Sequence, residues 1–183
     1  GVFVHNRLTH SMEVASVGRS IANIIGLELL EKESIRDNEL FNELGSIVSA
    51  ACLCHDMGNP PFGHAGEDAI SKYFEEGEGA KLKSAVSPAE WSDLLHFEGN
   101  ANALRLLTHQ FNGRRKGGYA LTYSTLAALI KYPYSSEINA KKYGFFQSEH
   151  QTFLQIAREL GLIKLNDDPV RYARHPLVYI VEA

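Results

Sequence analysis

Apolar residues recur every three or four positions in successive segments of the chain, which is the spacing of one face of an α-helix. In the first long segment these residues are Val14, Val17, Ile21, Ile24 and Ile25. In the second, predicted as a helix over 40–54, they are Phe41, Leu44, Val48 and Ala51. No segment alternates convincingly as a strand, so the sequence predicts an all-α fold. The sequence does not decide whether short two-stranded pieces form near 119–123 or 163–172.

Capping and loop signals divide the rest of the chain. Thr9 or Ser11 is the expected cap of the first helix. Glycine and proline between Met57 and Gly63 cannot continue a helix, and a short helix is expected from His64 to Phe74. Further helices are predicted over 89–110, 123–131 and 148–161, and from 176 onward.

Composition limits the class of protein. With 183 residues, 44% of them hydrophobic, the chain has apolar material for one packed domain. No run approaches the roughly 18 apolar residues of a membrane span, and a net charge of -4 argues against a basic nucleic-acid-binding surface. Cys52 and Cys54 form no disulfide framework. We expect a soluble, cytoplasmic protein.

His55 and Asp56 lie at the end of a mostly apolar predicted helix. A carboxylate in such surroundings is normally paired or bound to a cation. Imidazole and carboxylate together suit a divalent transition metal, and His10, which extends the apolar face of the first helix, is a candidate third ligand. The alternative is that His55 is a core histidine and Asp56 caps the turn at Gly58.

His64 and Glu67 follow the proline-containing loop, three residues apart on a helix start. A histidine with a carboxylate partner is typical of a general acid, because the carboxylate fixes the ring and raises its proton affinity. The alternative is an exposed histidine beside a first-turn acid that the helix dipole favours. The basic loop 112–118 is either solvated or a phosphate or nucleic-acid contact.

Two motifs stand out together: Arg7-Leu8-Thr9-His10-Ser11 and His55-Asp56-Met57-Gly58-Asn59-Pro60-Pro61-Phe62-Gly63-His64-Ala65-Gly66-Glu67. They resemble the dGTP triphosphohydrolase family of the HD superfamily. Later segments agree in order and approximate spacing: Phe97-Glu98-Gly99-Asn100-Ala101, Lys131-Tyr132-Pro133, Lys142-Tyr143-Gly144-Phe145-Phe146 and Arg174-His175-Pro176-Leu177. The resemblance covers nearly the whole chain.

The resemblance implies roles for seven residues. It assigns metal binding to His10, His55 and Asp56. It assigns catalysis to His64 with Glu67, and substrate contact to Arg7 and Asn59. The implied cofactor is a divalent metal ion (Mn, Mg, Co, Fe, Ni or Zn). The implied reaction converts a deoxynucleoside triphosphate, dGTP or a broader set, to deoxynucleoside and triphosphate.

The resemblance also implies partners and an unfinished site. A single-strand DNA effector and assembly into a homo-oligomer are expected. Association with a membrane is not expected. The family's fourth ligand, an aspartate, is expected beyond Ala183, so residues 1–183 are interpreted as an HD-type phosphohydrolase domain incomplete at the C-terminus and at the N-terminus. We expect impaired catalysis from these residues alone. Asp167 and Asp168 are candidate substitute ligands, but their segment has the composition of a turn. Cys52 is another candidate, but it is better explained as a small buried thiol.

Two alternative functions stay open from the sequence. One is an HD-type nucleotide phosphatase or phosphodiesterase that acts on monophosphates or cyclic nucleotides. The other is a noncatalytic sensor of nucleotides or single-strand DNA, which the basic loop would serve.

Overall fold

The computed structural model describes residues 5–33, 43–113, 116–138 and 141–183. The α-helices in this part are α1 Arg7–Glu33, α2 Leu44–Cys54, α3 His64–Glu75, α4 Pro88–Leu95, α5 Gly99–Thr108, α6 Tyr123–Leu129, α7 His150–Glu159 and α8 Val178–Glu182. Short 3-10 helices cover Glu78–Ala85, Ser136–Ile138 and Gln147–Glu149. The prediction of an all-α fold is confirmed. Of the predicted positions, 40–42, Arg114 and Arg115 lie outside the described residues.

One antiparallel hairpin, β1 Lys164–Asp167 and β2 Val170–Tyr172, accompanies the helices in this part of the chain. It lies within the second of the two segments where strands stayed open. Lys164 pairs with Tyr172 and Asp167 with Val170, so Asp168 and Pro169 form the turn between them. The turn interpretation of this segment is therefore confirmed.

Helix α1 packs along α2 through small residues, and the predicted buried face is wrong at two of its five positions. Val17 is 58% exposed and Ile24 is 59% exposed. The buried positions of α1 are Ser11, Ala15, Gly18, Ala22 and Gly26, and the predicted Val14, Ile21 and Ile25 are half-buried. A Cβ on Gly18 would lie 2.7 Å from Cys52 Sγ, so the two helix axes approach too closely for branched side chains between them.

The start of α1 also differs from the prediction. The Asn6 side-chain oxygen accepts a hydrogen bond from the Thr9 backbone N–H at 3.0 Å, and Thr9 Oγ1 accepts one from the Asn6 N–H at 2.9 Å. Asn6 is therefore the N-cap residue. In return, the Thr9 hydroxyl at the third helical position accepts the hydrogen bond from the Asn6 N–H. The expectation that Thr9 or Ser11 caps the helix is wrong.

The predicted helix over 89–110 is two helices, α4 and α5. The break falls at Phe97 and Glu98, where the Phe97 N–H donates to Ser71 Oγ at 3.1 Å rather than continuing α4. Glu98 then caps α5, because its carboxylate accepts the Asn100 N–H at 3.1 Å. This break directs the N-terminus of α5 toward the loop that carries the candidate site.

Helices α5, α6 and α7 enclose the larger core. Its fully buried members include Leu104, Leu107, Phe145, Phe153 and Ile156. A second core joins α1 and α2 to α6 and α8. No helix among the described residues has the length and apolar character needed to cross a membrane.

Asp93 on α4 ties the segment before α7 to the helical body. Its buried carboxylate accepts hydrogen bonds from the Gln147 N–H at 2.6 Å and from the Ser136 hydroxyl at 2.7 Å. Burial raises the pKa of Asp93 to about 6, although these two hydrogen bonds act in the opposite direction.

This raised pKa gives a prediction for stability against pH. Because the folded protein binds the Asp93 proton more tightly than the unfolded chain, the stabilisation is present at low pH and is lost as pH rises from about 4 to about 6. Over that range the unfolding free energy should fall by on the order of 2 kcal/mol relative to an Asp93→Asn variant. Urea denaturation of both proteins at pH steps from 4 to 7 measures this. A difference that stays constant with pH contradicts it.

Candidate metal centre and catalytic loop

The packing of α1 against α2 brings His10, His55 and Asp56 together. The His10 and His55 ring centroids are 5.3 Å apart. One ring nitrogen of each histidine and one carboxylate oxygen of Asp56 all lie within 4.8 Å of one another, and all three residues are half-buried. Two imidazoles and a carboxylate at this separation could hold one divalent ion.

The hydrogen bonds of His55 fix which nitrogen faces this group. His55 Nδ1 lies 2.7 Å from the Cys52 carbonyl oxygen, which can only accept, so Nδ1 carries a proton. His55 Nε2 then faces Asp56 Oδ2 at 3.2 Å. An unprotonated Nε2 and a carboxylate oxygen both offer a lone pair, so together they could bind one cation. This arrangement fits a metal ligand whose other nitrogen is held by the backbone.

Asn59 is bonded to Asp56. Its side-chain amide donates to Asp56 Oδ1 at 2.8 Å, which leaves Oδ2 toward His55. The Asn59 carbonyl accepts a long hydrogen bond, 3.4 Å, from Arg7 Nη1. Asn59 therefore orients a candidate ligand and Arg7 together, and the contact of either residue with substrate stays a prediction.

His5 and Glu13 form a second group of potential ligands with His10. His5 Nδ1 is 3.6 Å from Glu13 Oε2, and both side chains are more than half exposed. Neither His5 nor Glu13 has a role predicted from the sequence. The spacing of His10 and Glu13, three residues apart on one helix, was the available signal.

His64 and Glu67 are paired as the sequence predicts. His64 Nδ1 is 2.7 Å from Glu67 Oε2, and the His64 side chain is 81% exposed while that of Glu67 is 11% exposed. Glu67 Oε1 accepts the Gly99 N–H, at the start of α5, at 2.9 Å. The imidazole thus faces solvent with its Nδ1 directed at a buried carboxylate.

The charge state of Glu67 follows from opposing effects. Burial alone would raise the pKa of the Glu67 carboxyl, but hydrogen bonds from His64 and the Gly99 N–H and the charge of Lys142 lower the pKa below its usual value. Glu67 is therefore ionised at neutral pH, and it accepts the Nδ1–H of His64. This leaves Nε2 of His64 as the nitrogen that can exchange a proton with a ligand.

More than half of the chain matches one known protein family. The HD domain matches residues 7–132, a range that contains all seven predicted site residues. The chain belongs to the HD-domain family. The helical fold agrees with this assignment.

Individual relatives of this HD-domain chain carry consistent names. A deoxyguanosinetriphosphate triphosphohydrolase-like protein of Pseudomonas aeruginosa (strain LESB58) is 47% identical over 98% of the chain and 41% of that protein. One of the same name from Synechocystis sp. is 42% identical over 98% of the chain and 44% of that protein. A deoxyguanosinetriphosphate triphosphohydrolase of Yersinia enterocolitica is 35% identical over 98% of the chain and 40% of that protein.

These matches confirm the resemblance stated from the sequence. The chain spans about two fifths of the length of these curated relatives.

Gly58 lets the loop of this HD domain lie directly against α5. A Cβ at Gly58 would fall 1.9 Å from the Gly99 carbonyl oxygen and 2.3 Å from the Ala103 backbone nitrogen. The Asn102 side chain also donates to the Gly58 carbonyl at 2.9 Å. This contact sets the distance between Asp56, two residues earlier, and the α5 N-terminus that holds Glu67.

Gly58→Ala is therefore expected to lower the unfolding free energy by about 2–4 kcal/mol, because backbone atoms rather than flexible side chains oppose the new methyl group. Urea denaturation monitored by circular dichroism measures the loss. A variant within about 0.5 kcal/mol of wild type would show that the loop does not lie against α5 in this way.

The substitute ligands considered from the sequence do not join the site. Cys52 Sγ packs toward Gly18, and burial raises the pKa of both the Cys52 and Cys54 thiols, which disfavours the thiolate that binds metal. Exposed Asp167 forms an ion pair with Lys164 in the hairpin. Neither the cysteines nor the hairpin aspartates belong to the groups of potential ligands found among the described residues.

Of two cavities in the described part of the chain, one reaches a predicted ligand and the other does not. A cavity of about 880 Å³ adjoins Met57, the residue after Asp56, and its other lining residues include Leu106, His109, Phe111 and Tyr119. A smaller one of about 220 Å³ contacts His10 and Glu13 between α1 and α8. None of the predicted site residues lines the larger cavity, so it gives no support to a role in the reaction.

Proposed function

We propose that the full-length protein hydrolyses a deoxynucleoside triphosphate, dGTP or a broader set, to a deoxynucleoside and inorganic triphosphate in a metal-dependent reaction. One observation carries this proposal. A single loop, 57–63, joins a group suited to a divalent metal to an exposed histidine backed by an ionised carboxylate. The family membership and the names of the relatives support the substrate class.

His10, His55 and Asp56 are the residues that would hold the metal, and Asn59 fixes Asp56. When bound there, a divalent ion supplies Lewis-acid stabilisation of charge on a phosphoryl oxygen. Arg7 would offset further phosphate charge, since a guanidinium suits the geometry of phosphate oxygens.

His64 acts as the general acid in this proposal. Water adds to the α-phosphorus, the bond from phosphorus to the 5′-oxygen breaks, and the 5′-oxygen takes the proton from His64 Nε2. Glu67 holds the Nδ1–H of the same ring, so the imidazolium is stabilised and oriented before the bond breaks. The attacking water loses one proton to solvent as the new bond to phosphorus forms, and solvent returns one proton to His64, so the proton balance closes.

Product analysis separates this reaction from its alternatives. The full-length protein, incubated with dGTP and Mn²⁺, should give deoxyguanosine and triphosphate when the products are resolved by anion-exchange chromatography. An HD-type phosphatase or phosphodiesterase would instead act on dGMP or cyclic nucleotides. Absence of turnover together with binding of single-strand DNA would support a noncatalytic sensor.

The remaining partners are proposals from the resemblance alone. A single-strand DNA effector would change the rate of dGTP hydrolysis on addition of an oligonucleotide. Assembly into a homo-oligomer would appear as a multiple of the chain mass in light scattering. The basic loop proposed for nucleic acid has Arg114 and Arg115 outside the described residues.

A further inference from the structure

Lys142 lies between two buried carboxylates behind His64. Its Nζ is 3.0 Å from Glu98 Oε2 and 3.7 Å from Glu67 Oε2. The sequence placed Glu98 and Lys142 in separate motifs and gave neither a role. The fold brings them together because Glu98 begins α5 and Lys142 lies in the segment that Asp93 ties to α4.

Glu98 is held so that one oxygen is directed at Lys142. Its Oε1 accepts both the backbone N–H and the side-chain amide of Asn100, at 3.1 and 2.6 Å. Only 1% of Glu98 is exposed, and a carboxylate buried to this degree needs a cation. Lys142 supplies that cation through Oε2, and the ammonium group is thereby fixed in place.

The fixed ammonium group of Lys142 lies near the same Glu67 oxygen that pairs with His64. Glu67 Oε2 faces both His64 Nδ1, at 2.7 Å, and Lys142 Nζ, while Glu67 Oε1 is held by the Gly99 N–H. The Gly99 N–H and Lys142 Nζ thus restrain both oxygens of Glu67, which leaves one direction for the hydrogen bond with the His64 ring. Removing the lysine would release one of these two restraints.

We propose that Lys142 is a positioning residue for the general acid, which acts on His64 through Glu67, and that Glu98 holds Lys142 in place for this task. This inference rests on the proposed function for its kinetic consequence but not for its geometry. A lysine that contacts phosphate directly would affect substrate binding instead. The two roles therefore differ in which kinetic parameter they change.

A crystallographic comparison tests the geometry without any activity. In wild-type full-length protein the distance from His64 Nδ1 to Glu67 Oε2 should be that of a hydrogen bond, and in Lys142→Met the Glu67 carboxylate should rotate away from the ring. Lys142→Arg should keep it in place. An unchanged Glu67 in Lys142→Met overturns the proposal even if the protein hydrolyses no nucleotide.

A double-mutant cycle tests the consequence. Lys142→Met should lower kcat by about 10- to 100-fold with little change in KM, because the acid is misplaced rather than the substrate lost. In a Glu67→Ala background, Lys142→Met should lower kcat by less than about twofold. Equal losses in both backgrounds, or a raised KM with kcat unchanged, overturn the proposal.

Two further variants keep the cycle interpretable. Lys141→Met removes the same charge from the exposed neighbouring position and should leave kcat unchanged. If Lys142→Met fails to fold because Glu98 is left unpaired, the Glu98→Gln, Lys142→Met double variant removes both charges and replaces it in the cycle. Wild-type kinetics in that double variant overturn the proposal.

Discussion

Replacing His64 by alanine in the full-length protein is expected to lower kcat for dGTP hydrolysis by about 10²–10⁴-fold, the range that a positioned general acid contributes. The reason is the pairing of its Nδ1 with ionised Glu67 at 2.7 Å, which leaves Nε2 to protonate the leaving 5′-oxygen. KM should change much less, because the proton is transferred in the transition state. Steady-state measurement of triphosphate release gives both parameters.

Two control variants sharpen this test. His96→Ala removes an exposed histidine at the end of α4 and should leave kcat near wild type. Glu67→Ala should lose less than His64→Ala, since Glu67 orients the ring and transfers no proton to substrate. Near-wild-type turnover by His64→Ala would show that another group protonates the leaving oxygen.

Replacing Asp56 by asparagine is expected to weaken divalent metal binding by at least about 100-fold and to abolish hydrolysis in parallel. An amide cannot supply the negative charge that faces His55 Nε2 at 3.2 Å. Asn59→Ala, which removes only the partner of Asp56, should cost about 10- to 100-fold in metal affinity. Elemental analysis of the purified proteins and titration of activity with Mn²⁺ measure both effects.

Asp68→Asn is the matched control for the Asp56 variant. It makes the same change at an exposed position on α3 and should leave metal content and turnover unchanged. Retention of metal and activity by Asp56→Asn would contradict the assignment of Asp56 as a ligand. Loss of both in Asp68→Asn would point to a general effect of charge.

The sequence predicts the parts of this protein that depend on local spacing. Apolar periodicity finds the helices, and glycine with proline marks the loop after Asp56, because both signals act over a few residues. The pairing of His64 with Glu67 is also local, three positions along one helix. His10 and His55 meet because each extends the packed side of its own helix.

The parts that the sequence misses depend on distant contacts. The break between α4 and α5 arises from Ser71, 26 residues before Phe97, which no window of helical spacing contains. Val17 and Ile24 are exposed because small residues of α1 pack better against α2 than large ones do. Lys142 meets Glu67 across 75 residues, a juxtaposition that only the folded chain reveals.

Hydrolysis of dGTP in ¹⁸O-labelled water by the full-length protein with Mn²⁺ tests the proposed reaction most directly. If water attacks the α-phosphorus and His64 protonates the 5′-oxygen, mass spectrometry should find one ¹⁸O atom in the triphosphate and none in deoxyguanosine. Label in the deoxyguanosine would place the broken bond between carbon and oxygen. Label in dGMP, dGDP or monophosphate, with no triphosphate formed, would contradict triphosphate release itself.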